Sequence, residues 1–232
     1  MGHDTNVHGS GHGHHHHDGK CGSLVGELIV HFPYAVFSVA ASLMGVALLG
    51  FFSSTMNPSV ARHGTDVLFH TFHFMHIVFA STGVLLTYFR FSRRIFRGII
   101  IGACSSMFFC FLSDVFFPYI AGSLLGVNMH LHICFYSELH NIVPFLGIGL
   151  LNGLILSWHG KEMQSYYSVW SHFAHILVSS IAALLYMISH GLSDWTHSMG
   201  IVFLLLITAV VIPCTLSDVV VPLYFAKKGK DR

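Results

Sequence analysis

Six apolar stretches, each long enough to cross the hydrocarbon core of a bilayer, govern what this 232-residue chain can fold into. They lie near residues 24–52, 67–89, 98–121, 131–157, 168–190 and 198–225. A helix needs about 20 apolar residues to span such a core. Lipid offers no partner to a bare backbone N–H or C=O, so spanning segments of this kind predict helices. The connections between them are short. The expected fold class is therefore all-α: a polytopic membrane protein with six transmembrane helices in one antiparallel bundle.

Charge supports this reading and removes two others. Only 9% of residues are charged, against about 25% in an ordinary soluble domain. Eleven Lys and Arg stand against ten Asp and Glu, which leaves no basic footprint for nucleic acid. Five scattered cysteines do not form a disulfide framework. The basic residues also predict orientation. Arg90, Arg93, Arg94 and Arg97 separate the second and third stretches, Lys161 the fourth and fifth, and Lys227, Lys228, Lys230 and Arg232 follow the sixth. With Lys20 they all fall on one side, and Arg62 alone falls on the other. Both termini are expected in the cytoplasm, with the chain in the plasma (inner) membrane.

The chain also repeats itself. Cys110-Phe-Leu-Ser-Asp-Val-Phe-Phe-Pro118 in the third stretch and Cys214-Thr-Leu-Ser-Asp-Val-Val-Val-Pro222 in the sixth agree at six of nine positions. His73-Phe-Met-His76-Ile in the second is echoed by His172-Phe-Ala-His175-Ile in the fifth. The offsets are 99 and 104 residues, in the same order. An odd number of spans per unit turns the second copy over, so the expectation is two inverted three-helix repeats, 24–122 and 123–226. Residues 1–23 are expected to form a disordered, His-rich cytoplasmic tail and 227–232 a short basic one. Gly98/Gly102 and Gly149/Gly153 have the spacing of helix contacts, within one chain or between the members of a homo-oligomer.

Candidate chemistry rests on side chains that are costly inside a membrane. Asp114 and Asp218 are intramembrane carboxylates, and such residues mark functional sites. Cys110 and Cys214 precede them by four and share their helix face. Pro118 and Pro222 follow by four and remove the hydrogen bond that would end on the aspartate carbonyl. His73 with His76, and His172 with His175, are spaced to converge on one ion, and His70 extends the first pair by a turn. His130, His132, Glu138 and His140, at the outer start of the fourth stretch, are expected to complete an outer site with His70, His73, His76, Cys110 and Asp114. His31, beside Glu27, is expected to complete an inner site with His172, His175, Cys214 and Asp218. The tail run His14, His15, His16 and His17 reads as a metal-binding tract.

Imidazole, thiolate and carboxylate together suit a transition-metal ion, zinc first, then iron, cobalt or nickel. Magnesium and calcium want all-oxygen sites. The expected function is a secondary transporter of such an ion, with bound metal facing outward on the first set and inward on the second, and with proton coupling through ligand deprotonation. No Walker-type loop is present and no enzymatic role is expected. Two alternatives remain at this level. A membrane cytochrome would use the histidines as axial haem ligands, and a sensor would bind metal without moving it.

Overall fold

The computed structural model describes residues 24–133, 137–159 and 161–228, with side chains from residue 32 onward except those of 160–170. Among the described residues all regular structure is helical. We number six helices: α1 (Leu24–Ser53), α2 (Pro58–Phe91), α3 (Ile95–Leu124), α4 (Leu139–Ser157), α5 (Lys161–Ser189) and α6 (Met199–Lys228). Each contains a segment long and apolar enough to cross a membrane, so the chain is built as an integral membrane protein. The tail histidines His14 to His17, and the side chain of His31 on α1, lie outside the described residues.

Three helix starts differ from the sequence expectation by seven residues or more, among them α5, which begins at Lys161 rather than 168. Helix α2 begins at Pro58 rather than 67. Asn57 caps it through a side-chain oxygen that accepts from Ser59 N–H, and Pro58 occupies the first turn, where its missing N–H costs nothing. At 34 residues α2 is roughly 50 Å long and outruns a hydrocarbon core. The fourth span starts at Leu139 rather than 131. Residues 127–133 are non-helical because tertiary contacts hold them otherwise: the Tyr186 hydroxyl donates to the His130 carbonyl (3.2 Å) and accepts from His132 N–H (3.3 Å).

Helices α2 and α5 form the buried centre and pack on one another. Helix α4 covers α2, and α1 covers α5. Apolar side chains such as Phe37 and Met44 on α1 and Ile148 and Leu151 on α4 face outward, as a lipid-facing surface requires. In lipid, helices associate through close packing and interhelical hydrogen bonds rather than through the hydrophobic effect. Ser42 of α1 donates to the Leu177 carbonyl on α5 (3.1 Å), and Thr82 of α2 donates to the Gly149 carbonyl on α4 (3.0 Å).

The four glycines are spent inside the chain. Gly98 packs on Tyr88 and Phe89, Gly102 on Leu85 and Leu150, Gly149 on Ser81 and Val78, and Gly153 on Leu85 and Thr82. A Cβ at Gly149 would lie 2.7 Å from the Val78 carbonyl oxygen, which cannot rotate away. Gly149→Ala is therefore expected to force α4 off α2 and destabilise the bundle by about 1–3 kcal/mol. Thermal unfolding in detergent checks this, with Gly147→Ala as control, since nothing lies within 4 Å of a Cβ there.

Candidate metal centre

The repeated Leu-Ser-Asp-Val segments share a backbone irregularity. Leu112–Phe116 in α3 and Leu216–Val220 in α6 are π-turns, closed by Phe117 N–H to the Leu112 carbonyl and Val221 N–H to the Leu216 carbonyl. A proline two residues past an α-helical turn would drive its ring into the carbonyl four residues back. The wider turn accommodates Pro118 and Pro222 without breaking the helix, and such turns often mark functional sites. The proline effect expected from sequence is thus expressed as a local widening that carries Asp114 and Asp218 into the interior.

Asp114 is fully buried and fully engaged. Its Oδ2 accepts from Nδ1 of His73 (2.9 Å) and of His76 (2.7 Å), and its Oδ1 accepts from the hydroxyls of Ser113 (2.8 Å) and Ser179 (2.7 Å). A carboxylate has no proton to give, so both imidazoles carry a proton on Nδ1, and in its neutral form each offers the Nε2 lone pair. Carboxylate-oriented imidazoles of this form are the usual arrangement behind a metal-ligating histidine.

Asp218 repeats the arrangement more loosely. Its Oδ2 lies 2.7 Å from His175 Nδ1 and 3.7 Å from His172 Nδ1. Its Oδ1 and the Ser217 hydroxyl find no hydrogen-bond partner among the described residues. The space for this carboxylate exists because Gly83 of α2 lacks a side chain: a Cβ there would stand 3.0 Å from Asp218 Oδ2.

The two sets meet. The sequence reading separates them toward opposite membrane faces, but the rings of His76 and His175 lie with centroids 4.4 Å apart. The α2–α5 contact brings the two together. Cys214 Sγ stands 3.8 Å from His76 Nε2 and 3.8 Å from the Ser179 hydroxyl. His76, His175 and Cys214 offer ligand atoms all within 4.8 Å of one another, and all three residues are buried. Cys110, also buried, lies within reach of His76. A pair of imidazoles with one or two thiols is a donor set suited to zinc and its neighbours.

The other sequence candidates lie elsewhere. His73 Nε2 is buried without a partner among the described residues, one turn nearer the N-terminus of α2 than His76. His70, a further turn toward that terminus, is tied through Nδ1 to the Asp66 carbonyl (2.9 Å). His132 neighbours His70, with ring centroids 5.9 Å apart. Glu138 accepts from Asn141 Nδ2 (2.6 Å) at the head of α4, and His130 and His140 are exposed. None of these reaches the central group.

Sequence reasoning missed Ser179 and Gly83. Ser179 joins Asp114 of one half to Cys214 of the other, yet a serine in an apolar helix carries no distinguishing spacing. Comparison with known proteins finds no matching family model, no curated relative and no solved structure.

Proposed function

We propose that this chain is a membrane carrier of divalent transition-metal ions, zinc foremost, and that His76, His175 and Cys214 form its central binding site. The observation that carries the reading is the convergence of two imidazole nitrogens and a thiol, from three helices, in the interior of a membrane bundle. Nothing about packing alone requires soft and borderline donors there, and isolated polar groups at that depth are costly. Asp114 orients the His76 imidazole through its Nδ1, and the Asp218 carboxylate stands 2.7 Å from His175 Nδ1.

A carrier needs a site that can be approached from either side. The reading of the chain as two inverted three-helix halves meets that need: each half contributes one histidine pair, one acid and one π-turn, and the donors meet where the halves touch. The packing is compatible with such a relation, since α4 lies on α2 as α1 lies on α5. Binding to deprotonated imidazole and thiolate releases protons, which couples metal movement to a proton gradient.

The haem reading draws less support. Rings 4.4 Å apart and tilted by 60° leave no room for a porphyrin plane between His76 and His175.

Flux tests the proposal against the sensor alternative. Full-length protein reconstituted into vesicles is expected to move zinc across the membrane, and the double variant His76→Ala/His175→Ala is expected to reduce this to the leak of empty vesicles. Undiminished flux in the double variant would remove the central site from the transport route. Tight binding with no flux in the wild type would favour the sensor.

A further inference from the structure

The side of the bundle that α3 shares with the end of α6 carries a groove with a cation at its head. Gly98 and Gly102 draw α3 against α2. Phe96, Ile100, Cys104 and Phe108, spaced four apart, are left exposed along the same helix. Val221 and Phe225 of α6 form the other wall, and the buried Ile101 and Ser105 form the floor. The space is about 660 Å³, within the roughly 300–1,000 Å³ of small-molecule sites. From Arg97 to Phe108 the helix rises about 16 Å at 1.5 Å per residue, close to half of a hydrocarbon core of roughly 30 Å. An apolar groove of that length matches the acyl chain of one lipid in one leaflet.

Lipid-facing grooves accept acyl chains of any kind, so the charge at the end is what selects an occupant. Arg97, in the first turn of α3, is partly buried, with its guanidinium carbon 6.0 Å from the centroid of the Phe225 ring. A guanidinium set over a ring uses its face and keeps its edge N–H groups for a phosphate, which it can hold in bidentate form. Arg90, Arg93, Arg94, Lys227 and Lys228 are exposed at the same end, where α2, α3 and α6 come together. None of these cations pairs with a carboxylate among the described residues. The sequence expectation puts this end on the cytoplasmic side, where anionic lipids concentrate, and basic pockets between spanning helices suit their headgroups.

We infer that this groove binds an anionic phospholipid of the surrounding leaflet, with the phosphate on Arg97 and an acyl chain laid along α3 past Cys104 to Phe108. A second copy of the chain fits less well. Two copies inserted the same way would set equal clusters of unpaired cations against each other. Val221, whose N–H closes the second π-turn, belongs to the groove wall. The lipid therefore lies against the end of the turn that carries Asp218. The site stands whether or not the carrier reading does.

Competition between two lipids with identical chains tests this. The full chain in detergent is offered equal amounts of dioleoyl phosphatidylglycerol and dioleoyl phosphatidylcholine. Native mass spectrometry from concentrated ammonium acetate, which screens exposed charges, reads what is retained. Wild type is expected to retain phosphatidylglycerol in preference. Arg97→Gln is expected to lower that retention about fivefold or more. Arg93→Gln removes the same charge from an exposed position off the groove and is expected to leave retention unchanged. Cys104→Trp fills the groove from an exposed position and is expected to lower retention with every cation still in place. Equal retention of the two lipids by wild type would overturn the site. So would equal losses in Arg93→Gln and Arg97→Gln, or full retention in Cys104→Trp. A wild type that carries no lipid and forms dimers that Cys104→Trp splits would give the groove to a second copy instead.

Discussion

Replacing Cys214 with serine is expected to weaken zinc binding by about 100-fold or more while leaving the helical content unchanged. The thiol is the only sulfur in the tight three-residue group. A serine hydroxyl stays protonated at neutral pH and is a poor ligand for a borderline ion. Loss of a mere outer-shell partner costs about 10–100-fold in metal affinity, and a direct ligand should cost at least the upper end of that range. The side chains are nearly isosteric, and the 3.8 Å contact with Ser179 survives as a hydroxyl pair. Competition with a chromophoric chelator measures the affinity, and far-UV circular dichroism checks the fold. Wild-type affinity in Cys214→Ser would exclude the thiol from the centre.

The second large effect separates two substitutions of one residue. Asp114→Ala strands two imidazole N–H groups and the Ser179 hydroxyl in a site with no water-exposed surface, while Ser113 keeps the Cys110 carbonyl. Breaking a buried ionic hydrogen-bonded set in this way costs about 3–5 kcal/mol. The variant is expected to unfold at markedly lower temperature. Asp114→Asn is expected to fold nearly as well. Its amide oxygen, placed where Oδ2 was, accepts from both histidines, and its NH2 donates to the rotatable hydroxyls of Ser113 and Ser179. What it lacks is negative charge, so the imidazoles become weaker donors and zinc affinity falls by about 10–100-fold. Asp218→Ala should be milder than Asp114→Ala in its effect on stability, because Oδ1 of Asp218 is unpartnered to begin with. Thermal unfolding and chelator competition on the same four proteins test the set. An Asp114→Asn protein with wild-type affinity would reduce Asp114 to a packing role.

Much of this was legible in the sequence, for reasons that also set its limit. Helix number and class follow from apolar length, because lipid forces the backbone to satisfy itself within each span. His73, His76 and Asp114 announce themselves as costly residues at helical spacing, and so do His175, Cys214 and Asp218. Spacing along one helix says nothing about which helix lies across from it. That is why two sites were expected where the rings of His76 and His175 are in contact. Ser179 was invisible for the same reason, since its importance comes from Asp114 and Cys214 on other helices. Gly83 matters only through the carboxylate it admits. The start of α4 was misplaced because Tyr186, more than fifty residues downstream, holds the intervening segment out of a helix.

The sharing of Ser179 between the halves bears on how the protein is made. A nascent chain that has threaded only α1 to α3 into the bilayer holds Asp114 with three of its four partners, and the fourth has not yet left the ribosome. Its first half therefore waits, with a polar seam facing lipid, for α5 to arrive. Insertion machinery or a chaperone that shields this seam during synthesis would govern yield, and a gene split after α3 would need both fragments expressed together.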